Sequence, residues 1–338
     1  MNLKFSGAAL TAAVLAFTGT LLTTPSAQAD SEEYVALGDS YSSGTGTRNY
    51  IDDGTNCQRS PVAFASLITA DRGYDLDFRA CSGATIPNVS GNQVDALGAT
   101  TDFVTVSVGG NDAGFADVLT ECAKPGWMSD CGAAIDGAEA FVNNALPGKL
   151  AGLYSSISSA APGAQVVVVG YPRIFNGEDC NALTWFSPAE EARLNAMADL
   201  LNAKTSSVAG AAGFGFANPT GRFSGHAVCD NPEYLNGLSS PISESFHPNS
   251  LGHSSGYAPT VSPVLTGAAL KVDPALVAVA NGQAEDLAAT QRKYADRDAA
   301  IEPETFVAPD LESPAAKTAA RKAGVDIDAF VERSSTRR

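Results

Sequence analysis

The sequence predicts an α/β protein, a three-layer α/β/α sandwich around a five-stranded parallel sheet, and three features of the chain carry that prediction. Five apolar runs of strand length each end in turn residues, helix-length segments separate them, and the run at 165–169 is four valines after a glutamine. Strands that alternate with helices need crossover connections, which make neighbouring strands parallel. A β-branched run without polar alternation suits a strand covered on both faces.

In order, the strand-like runs are residues 33–37, 75–80, 102–108, 165–169 and 213–217. Helical pattern occupies 61–71, 137–159 and 188–208, the last after the cap candidate Ser187 and with Pro188 at its first position. Loop-like stretches at 57–60, 121–131 and 179–183 carry cysteines and have little hydrophobic repetition of their own. No internal repeat is evident.

Both ends differ from the middle. Lys4, an apolar run over about 8–22 and Ala27-Gln28-Ala29 ahead of Asp30 form a secretory leader over residues 1–29, with cleavage expected near Ala29. The run is too short and interrupted for a comfortable membrane span, and no later stretch is apolar enough for one. From residue 272 to 338 the chain is charged and Ala-rich, holds nearly half of the 21 basic residues and has no Cys or His. Residues 275–300 and 315–331 have helical character, Pro303, Pro309 and Pro314 interrupt it, and such a composition favours a weakly ordered tail over a contact to the cell wall or a partner. The expected organisation is a leader at 1–29, a main domain at 30–271 and an extension, partly helical or disordered, at 272–338.

Six cysteines, Cys57, Cys81, Cys122, Cys131, Cys180 and Cys229, all follow the leader. An even count in an exported protein argues for disulfides, and proximity favours Cys122 with Cys131, while sequence alone leaves the other pairings open. No Cys-x-x-Cys occurs and no histidine stands at zinc-like spacing, so no metal site is expected. A net charge of -16 opposes nonspecific binding to nucleic acid or anionic membranes.

The chemistry-bearing residues sit where the strands stop. The first strand runs into Gly38-Asp39-Ser40-Tyr41, which places Ser40 at the carboxyl edge of the sheet, where open α/β sheets bind ligands. Gly-Asp-Ser is also ordinary turn composition, so the rest of the chain has to supply a base. A serine hydroxyl needs one within hydrogen-bond reach, and the histidines are only His226, His247 and His253. Cys81-Ser82-Gly83 ends the second strand in a small-residue turn, and Gly109-Gly110-Asn111-Asp112 ends the third. The Gly83 N–H, the Asn111 amide and the Ser40 N–H are candidate oxyanion donors. His247 stands in a late loop, Glu244-Ser245-Phe246-His247-Pro248. Gly252-His253-Ser254-Ser255-Gly256 imitates another hydrolase elbow, but no strand precedes it and no histidine follows Ser254. Asp39 and Asp112 are read as shaping their turns, and His226 and His253 as structural.

These four ordered blocks, spread over about 34–270, resemble the SGNH or GDSL hydrolase family, and most of all its branch of secreted bacterial lipases and esterases with six paired cysteines. The resemblance implies a five-stranded flavodoxin-like sheet, a Ser40–His247 catalytic pair, an oxyanion hole of Ser40, Gly83 and Asn111, and disulfides 57–81, 122–131 and 180–229. Two residues depart from the family pattern: Tyr41 replaces the usual leucine, and Glu244 stands where many members have aspartate three residues before the histidine. In some secreted relatives a main-chain carbonyl two residues before the histidine orients the ring instead, which here is Ser245. The dyad with the Ser245 carbonyl is favoured over a Ser-His-Glu triad, since a carbonyl accepts the same N–H.

The activity so implied is hydrolysis of carboxylic esters of lipids by a secreted lipase, esterase or phospholipase, without cofactor and as a monomer. Phe115, Trp127, Met128, Phe175, Trp185, Phe186 and Phe246 are candidates for an apolar acyl groove or for satellite core. A carbohydrate acetylesterase and a non-catalytic secreted binding module are the rival readings.

Overall fold

The computed structural model describes residues 1–4, 7, 31–303 and 305–335. The leader expected at 1–29, with its cleavage near Ala29, lies almost wholly outside the described residues. The chain divides into the units Met1–Asp30 and Ser31–Arg338, and every described strand and helix belongs to the second.

The sheet has five strands, β1 (Glu33–Gly38), β2 (Asp75–Phe78), β3 (Thr101–Ser107), β4 (Gln165–Val169) and β5 (Gly215–Ala217), in the order β2-β1-β3-β4-β5. All pairings are parallel, with Val35 opposite Asp77 on one side and Val104 on the other. Helices join the strands, as parallel pairing demands. Tyr34 to Leu37 and Val166 to Val169 are buried, which is why neither strand shows polar alternation. The chain leaves β1 for β2 on one side and later returns to β3 on the other. β1 and β3 therefore flank the topological switch point, where such sheets open a crevice.

The strands match the sequence expectation to within two residues at each end. The helix expected at 188–208 is Pro188–Ala211, and Ser187 caps it in a box, its hydroxyl accepting from the Glu190 N–H at 3.3 Å while Glu190 accepts from the Ser187 N–H at 2.8 Å. The single helix expected at 137–159 is instead two, Cys131–Asn144 and Leu146–Ala160. Pro147, which cannot donate to the preceding turn and crowds it, stands in the first turn of the second.

The extension departs from the weakly ordered tail that its composition suggests. It forms helices at Pro274–Gly282, Ala284–Gln291, Ala295–Asp298, Pro314–Ala323 and Ile327–Ser335, with Gly324 in the left-handed region at φ 67° ending the fourth. Ala280, Leu287, Ala288, Ile301 and Phe306 join the main hydrophobic core. Arg59, fully buried, is held between Asp53 and Asp298 at 2.6 Å from each, and its Nε donates to the Ala80 carbonyl at 2.9 Å. Gln291 donates to Asp77 at 3.0 Å, and the Arg79 guanidinium lies 3.5 Å from the centre of the Tyr294 ring. The extension has little apolar area of its own, but the domain supplies buried cations and apolar surface for it to dock on.

Candidate active site

β1 stops because Gly38 turns away at φ 130°, a region open to glycine, and a side chain there would sit 2.4 Å from the Ser107 carbonyl oxygen. The Gln93 amide closes the end of the strand, accepting from the Gly38 N–H at 2.7 Å and donating to its carbonyl at 3.0 Å. Asp39 then caps the short helix Ser40–Ser43, accepting from the Tyr41 N–H at 3.0 Å. Its other oxygen accepts the Tyr171 hydroxyl at 2.5 Å. Burial pushes the Asp39 carboxyl up to about 7, against the lowering effect of those two hydrogen bonds. Asp39 shapes the turn that presents Ser40.

His247 Nε2 lies 2.9 Å from Ser40 Oγ, and His247 Nδ1 lies 2.9 Å from the Ser245 carbonyl oxygen. A carbonyl only accepts, so Nδ1 carries the proton, Nε2 is bare, and the Ser40 hydroxyl donates to it. Partly accessible at the cavity and otherwise enclosed, the ring has its pKa lowered to about 4 by desolvation, opposed by the Ser245 carbonyl. It is a neutral acceptor at neutral pH.

Glu244 points elsewhere. Its two oxygens accept from the Tyr50 hydroxyl at 2.7 Å and from Arg48 Nε at 3.0 Å, and the side chain is buried. The carboxylate anchors the loop, and the imidazole Nδ1–H donates to the neighbouring Ser245 carbonyl instead. The loop is held at further points: the Tyr41 hydroxyl donates to the Phe246 carbonyl at 2.7 Å, and the Asn236 N–H to the His247 carbonyl at 2.9 Å.

The other two blocks are tied to each other. Asn111 Nδ2 donates to the Ala84 carbonyl at 2.9 Å, and Asp112 accepts from the Ile86 N–H at 2.9 Å, so the Asn111 turn is tied to the Gly83 turn. Gly83 takes φ 84°. The disulfide Cys57–Cys81 fastens this turn from below, next to a hydrogen bond from the Ser82 N–H to the Cys57 carbonyl at 3.0 Å. Cys122–Cys131 and Cys180–Cys229 close the other two cysteine loops. Among the described residues no group of three His, Cys, Asp or Glu side chains is arranged to hold a metal ion.

Ser40, Asn111, Ser245 and His247 open onto one narrow cavity of about 50 Å³. Its apolar wall is Phe115, Leu119, Ile174, Met197, Leu201 and Phe246, with Tyr171 and Phe306 beside them. Of the aromatic residues singled out in the sequence, Phe115 and Phe246 line the cavity. Phe175 and Phe186 pack behind Phe246 at ring separations of 5.9 and 5.8 Å. Trp127 and Trp185 do not line it; they hold Phe330 of the extension at 5.6 and 5.8 Å. Met128 is not part of the wall either. His226 stacks on Tyr234 at 3.9 Å, and His253, buried against Phe64 and Tyr257, accepts from the Phe64 N–H at 3.2 Å. Ser254 lies in the helical turn Gly252–Tyr257 with no strand before it.

Two site residues had no sequence signal. Tyr171 is visible only as part of the Tyr-Pro that closes β4, and its partner Asp39 lies 132 residues away. Phe306 belongs to a stretch whose composition pointed away from the core.

A family model of GDSL-like lipases and acylhydrolases matches residues 36–254. The chain is 41% identical to lipase 1 of Streptomyces coelicolor over 268 residues, 78% of this chain and 97% of that protein. It is 40% identical to a lipase of Streptomyces rimosus over 232 residues, 68% of this chain and 85% of that one. Among solved structures, the extracellular lipase of Streptomyces rimosus aligns with a TM-score of 0.66 at 39% identity, with 69% of this chain covering all of that one. Phospholipase A1 of Streptomyces albidoflavus aligns with a TM-score of 0.65 at 39% identity, over 69% of this chain and 98% of that one.

Proposed function

The chain belongs to the GDSL-like lipase and acylhydrolase family, and from that premise we propose that it is an exported enzyme that hydrolyses carboxylic esters of lipids through an acyl-enzyme on Ser40. The observation that carries this reading is the continuous hydrogen-bond chain from Ser40 Oγ through His247 to the Ser245 carbonyl, opening onto an apolar cavity.

The steps follow from that geometry. His247 Nε2 takes the proton as Ser40 Oγ attacks the ester carbonyl carbon. The N–H groups of Ser40 and Gly83 and the Asn111 amide receive the oxyanion, each held by a turn that is already in place before the substrate arrives. Collapse of the tetrahedral adduct breaks the bond to the alcohol, which leaves with the proton from Nε2. Water then gives a proton to Nε2, its oxygen attacks the acyl carbon, and the carboxylic acid departs as Ser40 regains its proton. The Ser245 carbonyl holds the ring in the reactive tautomer and accepts from the imidazolium that forms between steps.

The apolar wall favours an acyl chain over a sugar acetate. Similar proteins are called a lipase and a phospholipase A1, so triacylglycerols and phospholipids are the first substrates to offer. Export is supported by the leader composition of residues 1–29, the three disulfides and an extracellular relative. The organisation proposed is a leader at 1–29, a hydrolase domain at 30–271 and an extension at 272–338. Action as a monomer is part of this proposal.

The deciding experiment offers short-chain esters, triacylglycerols, phosphatidylcholine and acetylated xylan to the protein and to Ser40→Ala. Release of fatty acid that vanishes in Ser40→Ala is expected. Release of acetate from the xylan alone would overturn the lipid reading, and failure of a serine-directed phosphonate to label Ser40 would favour a binding module.

A further inference from the structure

The C-terminal extension reaches the proposed acyl cavity. Phe306 is 4% exposed, lines the same cavity as Ser40 and His247, and sets its ring edge-on to Phe246 at 5.0 Å. Three and four residues earlier, the backbone of Pro303 and Glu302 presses on Gly83. A side-chain carbon on Gly83 would lie 2.3 Å from the Glu302 carbonyl oxygen and 2.6 Å from Pro303 Cα. The extension therefore touches the oxyanion turn and the acyl wall together.

It is anchored on both sides of that contact. Upstream, Asp298 pairs with the buried Arg59. Downstream, the Val307 N–H donates to Thr120 Oγ1 at 3.0 Å, on the helix Phe115–Cys122 whose Phe115 and Leu119 form part of the cavity wall. Further on, Phe330 sits between Trp127 and Trp185. The family model stops at residue 254, and the solved lipase of Streptomyces rimosus is covered entirely by 69% of this chain. The extension lies beyond the family match, and it adds Phe306 to the lining of the cavity.

We infer that Phe306 is a specificity-determining residue of this enzyme, supplied by the extension to close the end of the acyl pocket and set the chain length accepted. The inference rests on the ester-hydrolase reading above. A rigid aromatic wall excludes the methylenes that would need its space, and in a fitted apolar pocket a single methylene changes discrimination by about tenfold or more. Shortening the side chain lengthens the pocket; enlarging it has the opposite effect.

The test measures kcat/KM for 4-nitrophenyl esters from acetyl to palmitoyl with the full-length protein and its Phe306→Ala, Phe306→Leu and Phe306→Trp variants, with Ser40→Ala as the blank. Relative to wild type, the ratio of dodecanoyl to butyryl ester is expected to rise about tenfold in Phe306→Ala, to rise less in Phe306→Leu and to fall in Phe306→Trp. The leucine and tryptophan variants keep the position apolar and filled, so they report even if the alanine variant does not fold. An unchanged ratio, or one that moves the same way in leucine and tryptophan, overturns the inference while ester hydrolysis stands. If the wild type cleaves no ester faster than Ser40→Ala, the hydrolase reading and this inference fall together.

Discussion

His247 Nδ1 faces the carbonyl oxygen of Ser245 at 2.9 Å, although a buried carboxylate, Glu244, stands just one residue earlier in the chain. The carboxylate is taken by Tyr50 and Arg48. Reorienting it toward the imidazole would strand both partners and remove the group that anchors the loop. Glu244→Ala is therefore expected to lower the melting temperature while kcat/KM stays within about tenfold of wild type, since the acceptor that fixes the tautomer is untouched. A loss of several orders of magnitude in a folded variant would return Glu244 to the catalytic group.

The lowered pKa of His247 predicts an acid-tolerant enzyme. With the ring held at about 4 by desolvation, the acid limb of kcat/KM should bend near pH 4, and not at the ~6.5 of an unperturbed imidazole. An acid limb near 6.5 would mean that the ring is hydrated in solution.

Asp39 gives a stability signature of opposite sign. Its carboxyl is raised to about 7 in the folded protein from 3.8, so between those values the native state binds more protons than the unfolded one. Its contribution is complete below the unfolded value and is lost as pH rises through about 7. The buried His247 works the other way, since its lowered pKa makes stability rise with pH across the window between about 4 and 6.5. Urea denaturation of Asp39→Asn against wild type isolates the first effect. The difference in unfolding free energy is expected to move in favour of the variant as pH rises from 4 to 7, and a pH-independent difference would rule out the raised carboxyl.

How much of this was legible in the sequence depended on how local each signal was. Ser40, Gly83, Asn111 and His247 each follow a strand end or sit in a short recognisable block, and of these Ser40, Asn111 and His247 line one cavity. The Pro147 break and the Gly324 stop are also local, since proline lacks the N–H that would continue a helix and glycine takes the left-handed conformation that ends one. Asp298 and Phe306 carry no such mark. Asp298 meets Arg59 across 239 residues, and an Ala-rich charged stretch looks self-sufficient in water until its partner is known. Composition measures what a segment can bury by itself, whereas docking depends on what the rest of the chain leaves uncovered.

Asn111 tests the oxyanion assignment. Asn111→Ala removes the side-chain donor, and with it a hydrogen bond to the Ala84 carbonyl. Loss of one preorganised donor costs about 10²–10³ in kcat. The expected result is a fall of that size with KM little changed, because the interaction strengthens only as charge develops on the oxygen. A parallel rise in KM with unaltered kcat would instead assign the amide to ground-state binding.

Asp298 tests whether the extension is structurally part of the domain. Arg59 is fully buried and shared between Asp53 and Asp298 at 2.6 Å each. Removing one carboxylate leaves a buried guanidinium with one counter-charge and empties part of the docking interface. Breaking a buried ion pair costs roughly 3–5 kcal/mol, and because Asp53 still neutralises the cation, Asp298→Ala should fall near the low end, about 3 kcal/mol. Urea unfolding with the disulfides intact measures it. If the extension docks as one piece with the core, the variant should also lose protection from proteolysis between residues 299 and 335, and its butyryl-to-dodecanoyl preference should drift in the direction of Phe306→Ala. A variant as stable and as protected as wild type would mean that the Arg59 contact is incidental and that the extension is held by its apolar residues alone.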